Sequence, residues 1–283
     1  MKKISLFFLI ALLSISVEAQ IQTPAPSPFS KLEQKVGLTD VVVEYSRPSM
    51  RGRKVFGDLV PFDAIWRTGA NMNTKITFSD DVVVEGKELK AGTYAIYTKP
   101  NEAVWEVFFY TDTNNGGLPQ EWDASKVAAT VKVEAYPISE SIETFTITFD
   151  DLHNNGATLG LLWEKTYAGV KFVVPTVDKA IKSIQETMAK PDLTANDYFA
   201  AASYYYSEGM NMEQAKEWVD KAVSMGNGTE FWMMRAQSLI YAKLGDKEGA
   251  IQAGKKSLAA AQAAGNQDYV KMNKESLQEW AGL

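Results

Sequence analysis

From Val41 to Pro175 apolar and polar residues alternate in short bursts. Val41-Val42-Val43-Glu44-Tyr45, Thr74 to Phe78, Thr93 to Tyr97, Val104 to Tyr110, Val131 to Tyr136, Glu143 to Phe149, Thr158 to Trp163 and Val170 to Val174 all carry β-branched or aromatic residues at period two. Turn residues separate them: Asp80-Asp81, Glu85-Gly86, Asn114-Asn115-Gly116-Gly117 and Asn154-Asn155-Gly156. Eight or nine short strands with no helical pattern between them predict an antiparallel sandwich or barrel. After Pro175 the period lengthens. Val177, Ile181, Ile184 and Met188 fall on one face of a helix, Pro191 breaks it, and Thr194-x-x-Asp197 has the form of a capping box. Glycines at 209, 226, 228, 245 and 265 divide the remainder, giving about six helices. The predicted class is an α+β multidomain chain, an all-β sandwich over 31–175 followed by an all-α helical-repeat domain over 176–283.

Before the first strand, Lys2-Lys3, the apolar run Ile4 to Val17 and Val17-Glu18-Ala19 have the form of a cleavable signal peptide over 1–19. No cysteine follows, so a lipid-anchored lipoprotein is excluded and the destination is periplasmic or secreted. Residues 20–30 are Pro- and Ser-rich and read as a flexible lead-in. No later segment is apolar enough to span a membrane.

Composition narrows the chemistry. The 283 residues include no cysteine and one histidine, His153. Disulfides, thiolate metal sites and multi-histidine sites are therefore excluded. The formal net charge of −6 argues against a nucleic-acid partner. No phosphate-binding loop, dinucleotide fingerprint, nucleophile elbow or zinc-protease motif is present, so no cofactor, metal or catalytic residue is assigned.

Two resemblances add to this. The helical half, in Ala215-x-x-Trp218-x-x-x-Ala222 and Leu244-Gly245-Asp246-Lys247-Glu248-Gly249-Ala250, resembles tetratricopeptide repeats, with Asp268 to Gly282 as a capping helix. Tyr45-Ser46-Arg47-Pro48, Arg51-Gly52-Arg53-Lys54-Val55-Phe56-Gly57-Asp58-Leu59-Val60-Pro61 and Ile65-Trp66-Arg67-Thr68-Gly69-Ala70-Asn71 resemble the exported bacterial family called domain of unknown function 2911. That resemblance covers roughly 28–175. It implies a secreted or periplasmic protein and no established activity.

The segment 45–71 has few alternating apolar residues, so a long ordered loop is expected there. Arg47, Arg51, Arg53, Trp66, Arg67 and Asn71 are its candidate ligand-binding residues: guanidinium forks grip anions and an indole face stacks on a sugar. The competing reading is structural, with Arg47 and Arg67 paired to carboxylates. Asp150 to Asn155 gathers acids, amides and His153 but lacks calcium-loop spacing and reads as a turn. The chain is thus expected to be an exported binding or scaffold protein. An anionic or glycan ligand would sit on the β-domain and a protein or peptide partner on the helices. The alternative is a carboxylate-dependent glycan hydrolase acting on the β-domain.

Overall fold

The structure, a computed structural model, describes residues 23–281, with side chains through Trp280. The signal-peptide segment 1–19 lies outside the described residues. Those described divide between Pro175 and Thr176 into two compact units.

The first unit is a nine-stranded antiparallel sheet. Its strands are β1 (Phe29–Val36), β2 (Thr39–Ser46), β3 (Ala70–Phe78), β4 (Val82–Val84), β5 (Lys87–Leu89), β6 (Gly92–Lys99), β7 (Val104–Tyr110), β8 (Val127–His153) and β9 (Gly156–Val173), in the order β1-β2-β3-β6-β7-β8-β9-β4-β5. The long β8 serves two neighbours. Its first part pairs with β7, Val131 opposite Val107, and its later part with β9, Ile147 opposite Leu161. The ribbon turns back across its own face, so side chains from distant strands meet. Tyr45 of β2 packs edge-on against Phe145 of β8, and Phe78 of β3 against Phe172 of β9. One core forms between the two layers, including Val43, Ile76, Ile96, Trp105, Leu161 and Trp163.

The sequence pattern splits 131–136 from 143–149, yet both belong to β8. Pro137 interrupts the alternation but not the strand, because it falls where the register with β9 shifts. A proline is tolerated there, since no ladder hydrogen bond is required of it. β1 escapes the pattern altogether: as an edge strand it is half exposed, and charged residues fill alternate places.

The second unit has six helices: α1 (Thr176–Met188), α2 (Ala195–Ser207), α3 (Met212–Met225), α4 (Phe231–Lys243), α5 (Lys247–Ala263) and α6 (Gln267–Ala281). The capping box of α2 forms. Asp197 N–H donates to Thr194 Oγ1 at 3.3 Å and Thr194 N–H to Asp197 Oδ2 at 2.8 Å. The starts of α2, α4 and α6 at 195, 231 and 267 recur at a constant interval. Fully buried Ala202, Ala215, Val219 and Ile240 let the helices approach closely, and Tyr205 and Trp218 pack edge to face at 4.8 Å. Among the described residues no helix is long and apolar enough to cross a membrane.

Candidate functional site

Between β2 and β3 the chain crosses the end of the sandwich as a loop over 47–69; isolated bridges of Ser49 with Thr144 and of Trp66 with Thr98 tie it to the strands, and one of Phe56 with Val60 closes a turn within it. Its apolar residues explain why it stays ordered. Val55, Phe56 and Val60 are buried in the core, each worth about 1.5–3 kcal/mol. Leu59, between them, is turned out to solvent. Of the arginines of the same segment, Arg51 and Arg53 are exposed while Arg47 and Arg67 are half-buried.

Those arginines divide into two groups. Arg47 ties the loop to β8, its Nε donating to the Phe145 carbonyl at 3.0 Å and its Nη2 to Thr146 Oγ1 at 2.7 Å. The structural role expected of it exists, but its partners are a carbonyl and a hydroxyl rather than a carboxylate. Arg51 donates from Nη2 to the Pro26 carbonyl at 2.9 Å, and Asn71 from Nδ2 to the Ser27 carbonyl at 3.1 Å. The Arg47 N–H reaches the Pro28 carbonyl at 2.9 Å. Three candidate residues thus hold three consecutive carbonyls at the end of the Pro-rich lead-in.

Arg53, Trp66 and Arg67 line a cavity of about 380 Å³, together with Leu59, Pro61, Ile65, Leu118 and Trp163. Arg53 is fixed from behind: its Nε donates to the Met50 carbonyl and its Nη2 to the Ser49 carbonyl, both at 2.8 Å. Arg67 donates from Nη1 to the Asn71 carbonyl at 3.1 Å. Neither makes an ion pair among the described residues, and the cavity lining carries no Asp or Glu. Trp66 stacks on Trp163 and meets Phe145 edge-on at 5.1 Å. Leu59 and Leu118 are 39% and 46% exposed, giving apolar sides to an otherwise cationic opening.

The backbone around this cavity is held in rare conformations. Arg51, Asp63, Thr68 and Asn71 all have positive φ. Thr68, at +54° and fully buried, is the costliest, since a β-branched residue is seldom found there. Its conformation is held on two sides. The Thr68 carbonyl accepts from Thr74 Oγ1 at 2.6 Å, and its own hydroxyl donates to Thr98 Oγ1 at 3.1 Å. The next residue must be glycine: at φ +147°, a Cβ on Gly69 would lie 2.8 Å from Thr74 Oγ1. Such strain is kept only where the surroundings over-determine it, and it clusters at functional sites.

Sequence reasoning missed the floor beside Arg67. Asn73, 4% exposed, donates from Nδ2 to Tyr97 OH at 2.6 Å and to the Gly117 carbonyl at 2.8 Å. Tyr97 OH donates to the same carbonyl at 2.6 Å. Burial raises the Tyr97 pKa, although hydrogen bonding with Asn115 and Asn73 opposes the rise. The Asn114-to-Gly117 turn is therefore fastened to β3 and β6, and Gly117 packs under Arg67. Trp163 and Leu118 were also missed, because alternation marks one as core and the other follows a turn. At the far end of β8, His153 pairs with Gly156 and closes the β8–β9 hairpin. No cluster of three metal-ligating side chains occurs among the described residues.

Residues 27–172, which hold the loop, its cavity and all but the last residue of β9, match the family described as Protein of unknown function (DUF2911). The chain belongs to the DUF2911 family. Its DUF2911 domain thus contains every residue lining the cavity. Among solved structures, protein BPP2914 from Bordetella parapertussis, determined in solution, is 23% identical with a TM-score of 0.32, over 35% of this chain and 85% of that one. No curated protein matches the chain.

Proposed function

We propose that the DUF2911 domain is the ligand-binding module of an exported protein, and that its cavity takes a small organic anion with a ring-shaped apolar face, such as an acidic sugar. The carrying observation is that Arg53 and Arg67 both line the cavity without a counter-ion. A carboxylate entering between them gains charge-assisted hydrogen bonds, while its ring rests on Trp66, Leu59 and Leu118. Because backbone carbonyls already hold both guanidinium groups, little side-chain freedom is lost on binding. Hydrolysis of a glycan by paired carboxylates would need two acids flanking the bond; this lining supplies none, so binding is the reading we favour.

Export follows from the signal-peptide reading of residues 1–19. The second unit reads as a tetratricopeptide-like interaction module. Support for this comes from the constant interval between α2, α4 and α6 and from the small buried residues where the helices meet.

Calorimetric titration of the mature chain with glucuronate and with glucose tests the proposal. Glucuronate is expected to bind and glucose to bind at least about tenfold more weakly, with Arg53→Ala and Arg67→Ala each removing most of the difference. Equal binding of the two sugars, or variants that bind as the parent does, would refute it.

A further inference from the structure

One wall of the β-domain cavity does not come from the loop. Ser27, in the Pro-rich segment ahead of β1, lines it with Arg53, Arg67 and Trp66. Thr23 to Pro26 and Pro28 are exposed, whereas Ser27 is half-buried. Proline at 24, 26 and 28 fixes φ at those places, and a residue that precedes proline is itself restricted. Ser27 stands between two of them and keeps little backbone freedom.

The segment is fastened on both sides of Ser27. Arg51 Nη2 donates to the Pro26 carbonyl at 2.9 Å, and the Arg47 N–H to the Pro28 carbonyl at 2.9 Å. Arg51 is fixed in turn, its own N–H donating to Glu143 Oε1 at 2.8 Å. The Ser27 carbonyl accepts from Asn71 Nδ2 at 3.1 Å, and the Asn71 carbonyl accepts from Arg67 Nη1 at 3.1 Å. Asn71 thus joins the Pro-rich segment to a guanidinium of the cavity. Among the described residues, Ser27 carries the one hydroxyl of a lining that is otherwise cationic, aromatic or aliphatic. That hydroxyl has no hydrogen-bond partner among them and is not sealed from solvent.

We infer that Ser27 is a ligand-contacting residue that selects hydroxylated ring acids over bare ones, and that Arg51 and Asn71 are positioning residues that hold it in place. The inference rests on reading the cavity as an organic-anion site. With a carboxylate between Arg53 and Arg67 and the ring on Trp66, the ring hydroxyls face walls that are mostly apolar. A hydroxyl buried there without a partner is costly. Ser27 offers it a group that both donates and accepts. A ring acid with no hydroxyl gains nothing from Ser27.

Calorimetric titration of the mature chain compares glucuronate with cyclohexanecarboxylate, which has the carboxylate and the ring but no hydroxyl. Ser27→Ala is expected to weaken glucuronate about three- to tenfold and to leave cyclohexanecarboxylate unchanged. Arg51→Ala, whose side chain does not line the cavity, is expected to weaken glucuronate several-fold. Adding Ser27→Ala to it should cost less than in the parent, because the hydroxyl is no longer held in place. Parental glucuronate binding in Ser27→Ala, or an equal loss for both acids, would overturn the inference and leave the anion site standing. Fully additive losses would overturn the positioning role of Arg51. Binding of neither acid by the parent would overturn both readings.

Discussion

The indole of Trp66 lies nearly flat on that of Trp163, ring centroids 5.7 Å apart and planes 21° from parallel. One comes from the loop, the other from the interior of β9, so a single contact fixes both the loop and the cavity wall. Trp66→Ala is expected to cost about 2–3 kcal/mol in urea unfolding, since a large, partly buried ring and its aromatic contacts are lost together. Trp66→Phe should recover at least half of that.

Gly117 couples the turn after β7 to Arg67. At φ +127°, a Cβ there would stand 3.0 Å from Arg67 Nη1 and 3.1 Å from the Asn71 carbonyl. Gly117→Ala should therefore lower stability by about 1–3 kcal/mol and also weaken glucuronate binding, because Arg67 must shift. A stability loss with parental affinity would show that Arg67 does not reach the ligand.

In the second unit Asp220 gathers three donors: Tyr241 OH at 2.6 Å, Gln237 Nε2 at 2.8 Å and Lys216 Nζ at 2.9 Å. Burial pushes its pKa up, but the three hydrogen bonds outweigh burial and hold it below the ordinary value. A carboxyl with a depressed folded pKa stabilises above its unfolded pKa, and that contribution is lost as pH falls through the folded one. Asp220→Ala should cost about 2 kcal/mol near neutrality and flatten the acid limb of the stability profile below about pH 4.

The alkaline limb belongs to the half-buried Tyr167. Tyr167 donates to Asp150 Oδ2 at 2.9 Å, and burial, reinforced by that carboxylate, raises its pKa well above the ordinary value. The folded chain keeps this proton where the unfolded chain releases it, near pH 10. Stability should thus be level below about pH 9 and fall above about pH 10. Tyr167→Phe should cost about 1–2 kcal/mol at neutral pH and make the alkaline fall shallower. Thermal melts across pH 7–11 check both.

Period-two alternation was enough to reveal the sandwich, because strands such as β2 and β7 bury alternate residues along most of their length. It failed where burial is not alternate. β1 is a charged edge, and Pro137 hides the continuity of β8. The loop was legible as a place of function through its arginines and Trp66, but their division of labour was not. That Arg47 is spent on β8 while Arg67 is left to line the cavity depends on residues such as Phe145, Thr146 and Trp163, about 100 residues away along the chain, which local pattern does not encode.

The central claim is that an organic anion enters the cavity between Arg53, Arg67 and Trp66. Titrating glucuronate into the mature chain with nitrogen-15 in its seven tryptophan indoles tests it most directly. The account expects the Trp66 and Trp163 signals to move together along one saturating curve while Trp218, Trp232 and Trp280 stay still. Movement confined to the helical tryptophans, or no movement at saturating glucuronate, would contradict it.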